Sequence, residues 1–175
     1  MSASLHAAYV PAFIGMLNNI KGWLDLAAAT GNEAVLIEAK LTDDMFALAR
    51  QIQIASDAAK GAGARMSGTE APAMPDTETT FAELKARCDK TIAFLQSLDA
   101  AAFDAGATRE VVITFPNGGG VKFDGQTFLT QFATPNFYFH ATTAYAILRA
   151  NGVNIGKQNF LGHLAPHMFA PPAAS

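Results

Sequence analysis

A chain of 175 residues, half of them hydrophobic and 15% charged, is long enough to bury one proper core and too apolar to remain disordered. Its formal net charge is −3, and its 12 lysines and arginines are scattered singly, so no basic stripe marks a nucleic-acid partner. The single Cys88 allows no internal disulfide, the opening residues lack the pattern of a secretory signal, and no apolar run is long enough to span a bilayer. These features predict a soluble, cytoplasmic protein with one domain over residues 1–165 and no membrane partner.

Between Leu5 and Ala29, the residues Tyr9, Phe13, Met16, Leu17, Ile20, Leu24 and Ala27 recur at three- and four-residue spacing, the stripe of a first helix that Gly31 ends. A second stripe, Leu41, Met45, Leu48, Ile52, Ala55 and Ala59, predicts a helix that ends near Gly61 or Gly63. Thr42 is its expected N-cap, Asp43 and Asp44 face its positive end, and Leu41 and Phe46 are spaced as a hydrophobic staple. From Gly61 to Thr79 apolar periodicity disappears, which predicts a long crossover loop and the most mobile internal segment. Thr80-Phe81-Ala82-Glu83 is a capping box, and Phe81, Leu84, Cys88, Ile92, Leu95 and Leu98 follow as the buried stripe of a third helix. Cys88 on that stripe reads as a small hydrophobe rather than a nucleophile.

Glu110 to Phe115 and Val121 to Phe123, joined by Pro116-Asn117-Gly118-Gly119-Gly120, read as a small hairpin. Its glycines connect two strands instead of leading a strand into a helix, so they are not a phosphate loop. Gln126 to Ala133 is a short helix or the first part of the last one, kinked at Pro135. The last helix runs from Thr134 as cap, through Pro135 at its first position, to Arg149 in its final turn and Gly152 as a left-handed stop. It carries no broad polar face, which predicts a central, buried helix with His140 inside. A helical turn near Asn159 to Leu164 and a mobile tail over 166–175 complete the chain.

An imidazole placed inside needs a partner, because an unsatisfied buried polar group costs about 1–3 kcal/mol. Asn136, His140, Thr143 and Ile147 form one stripe, polar at its start and apolar beyond, as a helix lining the base of a small ligand pocket would. With Arg149 at the helix end, Asn136, His140 and Thr143 are the candidate pocket residues. The plainer reading is that Asn136 and His140 bond to facing groups and fix the register of the bundle. Of the four histidines, His6, His140, His163 and His167, only the last two stand four residues apart, with Pro166 between them. No metal site, cofactor or catalytic residue is therefore assigned, and a divalent ion would require His6 or a carboxylate such as Asp44 to fold onto His140. Tyr9, Trp23 and the aromatic last helix supply more large side chains than one bundle core needs, which predicts a homodimer.

The helix pattern, the long second connection, the hairpin and the run PNFYFHATTAYAILRANGVNIGK followed by NFLG resemble an uncharacterised bacterial family grouped with the DinB/YfiT-like metalloenzymes. The resemblance implies an all-α, DinB-like four-helix bundle with a small β-hairpin before the last helix, commonly a homodimer. Members of the wider superfamily hold a divalent ion with three histidines, two of them four residues apart on the last helix, and some are thiol-dependent transferases. In this sequence only His140 matches that pair, since Asn136 and Ala144 flank it, and no histidine lies between Leu41 and Gly61. Two functions follow: a bundle with a degenerate metal site and a small pocket near His140, or a metal-dependent transferase or hydrolase with a rearranged ligand set.

Overall fold

The Ser4 hydroxyl accepts from the Ala7 amide and so starts α1, Leu5–Ala28, whose inner face is Phe13, Leu17, Ile20 and Leu24. The computed structural model describes residues 4–115 and 117–169; Pro116 of the expected turn and 170–175 of the expected tail lie outside them. A short α2, Glu33–Glu38, buries Leu36 and Ile37 and has too few residues to show a period in the sequence.

The next helix, α3, spans Leu48–Ser67, so both ends expected from the sequence are corrected. At the front, the Thr42 hydroxyl donates to Asp44 at 2.7 Å and the Met45 amide bonds to the Thr42 carbonyl. Thr42 thus makes a local turn instead of a cap. Leu41 and Phe46 are both exposed and form no staple. At the back, Gly61 and Gly63 are interior and buried, and a methyl on Gly63 would lie 2.8 Å from Leu98 Cδ1 and 3.0 Å from Leu95 Cδ2. Gly68, at φ +74°, is the actual left-handed stop.

α4, Phe81–Gln96, begins with both halves of the expected capping box, Thr80 and Glu83. After α5, Ala100–Ala105, strands β1, Glu110–Thr114, and β2, Gly120–Asp124, pair antiparallel with Val111 opposite Phe123. Asp124 caps the three-residue α6, Gly125–Thr127, which continues through a π-helical turn, 128–133, into α7, Thr134–Ala150. Thr134 is therefore no cap, and its hydroxyl is buried without a partner among the described residues. Pro135 lacks the N–H that an α-helix would use, and the wide π turn just before it accommodates the loss without ending the helix. α7 is also not buried all round, since Phe139 is 56% exposed. Beyond Gly152 (φ +83°), α8, Lys157–Phe160, and a 3₁₀ segment, Gly162–His167, keep Pro166 and His167 within the structure, where a tail was expected.

Four long helices make the core. Lys21–Asp89 and Lys85–Asp25 ion pairs run α1 and α4 in opposite directions. The Phe13–Phe137 and Trp23–Tyr145 ring contacts run α1 and α7 in the same direction. The Ser56–Thr91 hydrogen bond and the approach of Gly63 to Leu95 run α3 and α4 in the same direction. Parallel neighbours force the chain back along the bundle, and residues 69–80 make that crossing. A helix of 20 residues is about 30 Å long and twelve residues extended reach about 40 Å, so the crossover is long enough to make that return.

Arg87 of α4 holds this crossover in place. Its side chain is 1% exposed and donates to the Pro75 carbonyl at 3.2 Å, to Glu78 at 2.9 Å and to Asp57 of α3 at 2.8 Å, and it pairs with Asp76. Burial opposes its charge, but Glu78 and Asp57 outweigh burial and raise its pKa above the ordinary value. Replacing Arg87 with Ala leaves these carboxylates without their common partner, and limited proteolysis is expected to cut residues 69–80 faster than in the wild type. Equal cleavage rates would show that the guanidinium does not hold the segment. A methyl on Gly106 would collide with the Met66 carbonyl, whereas Gly22 faces open space. Denaturant midpoints should therefore show Gly106→Ala destabilised by about 1–3 kcal/mol and Gly22→Ala stabilised by about 1 kcal/mol.

Candidate functional site

α3 and α7 form the most extensive helix pair, and His140 meets Gln51 across it. The imidazole Nδ1 stands 2.7 Å from Gln51 Oε1, while Gln51 Nε2 donates to the Phe46 carbonyl at 3.0 Å. A carbonyl only accepts, so the amide orientation is fixed and Oε1 faces the ring. His140 must then donate from Nδ1, and in the neutral ring Nε2 carries the lone pair. That Nε2 is not among the atoms sealed from solvent without a partner. The exposed Phe46 ring lies under the Arg50 guanidinium, and the exposed Phe139 ring meets the imidazole edge-on at 5.1 Å between centroids.

The other candidates do not converge on this pair. Thr143 turns its hydroxyl back to the Phe139 carbonyl at 2.8 Å, and Asn136 is half-buried with no side-chain hydrogen bond among the described residues. Arg149 reaches forward to the Ile155 carbonyl and ties down the chain after α7. Five surface cavities among the described residues are lined by other side chains than Asn136, His140, Thr143 and Arg149. His6 packs against Phe103 and Asp44 bonds to Thr42, so neither of the proposed ligands reaches His140. Among the described residues no three His, Cys, Asp or Glu side chains are grouped to hold a metal ion. The donor set at His140, one imidazole and one amide, does not fit a metal centre.

Sequence reading missed Gln51, although a signal exists. It lies three residues after Leu48 and four before Ala55, a polar side chain inside an apolar stripe, and such a residue has a buried partner. Cys88 is fully buried, and burial pushes its thiol up to about 12, which leaves no thiolate nucleophile at neutral pH.

A family model described as a domain of unknown function, DUF1993, matches residues 5–161. This chain belongs to that family. A crystal structure of a DinB family member from Shewanella denitrificans is 38% identical, covers 98% of this chain and 95% of its own, and superposes with a TM-score of 0.82. No curated protein matches. The DUF1993 chain thus has the DinB-like bundle that its sequence pattern implied, and no helix among its described residues is long and apolar enough to cross a membrane.

Burial first, and the Arg50 charge second, hold His140 below the ordinary imidazole value of 6.5. The unfolded chain therefore takes up the proton more readily than the folded one. The stability that the neutral ring supplies is complete above pH 6.5 and is lost as the pH falls from there through the lowered folded-state value. His140→Asn should remove that component, so urea unfolding measured above and below 6.5 should show a smaller acid loss for the variant than for the wild type. Gln51→Leu, which strands the Nδ1 donor, should cost about 1–3 kcal/mol in the same assay.

Proposed function

We propose that this DUF1993 chain is a DinB-like bundle with a degenerate metal position at His140, a homodimer that presents a small ligand-contact site around that residue. One observation carries the reading: His140 is held by Gln51 Oε1, an amide oxygen on α3, and among the described residues no three His, Cys, Asp or Glu side chains are grouped around it. The Nδ1–H contact resembles the outer hydrogen bond that orients a metal-bound imidazole, which supports reading the position as a degenerate one. What remains is a neutral base with an accessible lone pair between Arg50, Phe46 and Phe139, suited to a hydrogen-bond donor on a small molecule.

The support for a dimer is narrower than the aromatic count suggested. Trp23 is buried in the protomer, donates to the Asn159 carbonyl and stacks on Phe160. Exposed Val35, Phe46 and Phe139 remain as apolar groups for a partner copy. Protein purified without a histidine tag should contain no stoichiometric divalent metal and should scatter light as a dimer at micromolar concentration. About one equivalent of metal, lost in His140→Asn, would establish a metal-dependent transferase or hydrolase in place of this reading. A monomer would remove the dimer.

A further inference from the structure

The two strands of the hairpin are not equally protected at their edges. β2 carries Lys122 at its middle and Asp124 at its end, charged side chains of the kind that keep an open strand from pairing. β1 reads Glu110-Val111-Val112-Ile113-Thr114, with no lysine, no proline and four β-branched residues in a row. Its pairing with β2 is regular from Glu110–Asp124 to Thr114–Gly120, so no bulge turns the edge aside. Beside β1 runs an open groove whose lining includes the small residues Gly68, Thr69 and Ala71.

Hydrogen bonds fix which groups of β1 face outward. The Phe115 amide donates to the Gly119 carbonyl at 2.7 Å, and bonding direction alternates along an antiparallel strand. Val111 and Ile113 therefore bond to β2, while Glu110, Val112 and Thr114 turn their N–H and C=O groups to the free edge. Among the described residues none of these three has a backbone hydrogen bond to another element. Their side chains are exposed as well, Val112 at 48%.

A second β1 strand fits this edge in one register. In a symmetric antiparallel pair the residue on the twofold axis meets its own copy, and the bonding phase admits only Glu110, Val112 or Thr114 there. Glu110 on the axis would set two carboxylates against each other, and Thr114 on the axis would leave Glu110 and Val111 past the end of the other strand. With Val112 on the axis every free group finds a partner. Val112 then meets Val112, and Glu110 meets Thr114, whose hydroxyl is a donor for the carboxylate.

We propose that two copies of this chain join through their β1 edges, antiparallel about Val112, into one four-stranded sheet. The interface rests on the homodimer proposed above and lies at the hairpin, on other residues than Val35, Phe46 and Phe139. The test measures the dimer dissociation constant of the full-length chain by sedimentation over a dilution series. Val112→Lys sets two ammonium groups together across the axis, and Thr114→Glu sets a carboxylate against Glu110 of the second copy. Each should weaken the dimer by at least about tenfold with an unchanged far-UV circular dichroism spectrum, whereas Thr114→Lys should tighten it. Under mild oxidation Val112→Cys should form a disulfide-linked dimer and Lys122→Cys should not, with the native Cys88 buried and silent. A dimer whose affinity neither Val112→Lys nor Thr114→Glu changes, or that cross-links as readily through Lys122→Cys, overturns this interface and leaves the homodimer standing. A monomeric wild type removes both.

Discussion

The constraint from which most of this structure follows is that α3 and α4 are neighbours pointing the same way. Antiparallel helices can be joined by a few residues, but parallel ones require the chain to return along the bundle before it starts again. The returning strand has little apolar surface of its own, so its order must come from elsewhere. Arg87 supplies it by bringing a backbone carbonyl and two acidic side chains of the crossover to one guanidinium that Asp57 also holds from α3. Three separate pieces of chain meet on one fixed charge. The same parallel arrangement brings Leu95 and Leu98 close enough to α3 that a methyl on Gly63 would push on both side chains.

Two histidines are fixed by amides in opposite senses. Gln51 offers its oxygen to His140, whose Nδ1 therefore keeps the hydrogen, while Asn19 offers its nitrogen to His163, whose Nδ1 therefore gives it up. In each case a backbone carbonyl on the amide's other contact makes the assignment. One imidazole is thereby an acceptor at Nε2 and the other a donor, although both belong to one chain and neither touches a charged partner directly. Such pairing shows how a bundle sets the hydrogen-bonding character of a ring without altering the residue itself.

The sequence made the fold class legible because its strongest signals are local. The capping box at Thr80 and Glu83, the stripe of α1 and the hairpin strands depend on neighbours within a few positions, and each stands where the pattern put it. The boundaries that moved were decided by distant contacts. Gly63 is an ordinary stop signal unless Leu95 and Leu98 are known to press on it, and Thr42 is an ordinary cap unless Asp44 takes its hydroxyl. At the candidate site His140 was legible as a buried group in need of a partner. Its partner was not, because Gln51 lies 89 residues away and its spacing within the α3 stripe was overlooked. Thr143 and Arg149 shared a helix with His140 in sequence, yet each donates to a nearby backbone carbonyl, and Asn136 makes no side-chain hydrogen bond among the described residues.

The π-helical turn at 128–133 has a geometric consequence for how the hairpin sits on the last helix. Buried residues along this continuous rod are Phe128, Leu129, Ala133, Phe137 and Ala141; the step from Phe128 to Ala133 is five residues, the span of one π-helical hydrogen bond, and the later ones are four. The wider turn thus absorbs one surplus residue and keeps the two halves in phase. Each residue of an α-helix advances the face by about 100°, so a one-residue deletion here would swing the hairpin around the rod while leaving α7 seated on α3. The hairpin and the His140 helix are therefore mechanically separable, joined by a segment whose winding sets the angle between them.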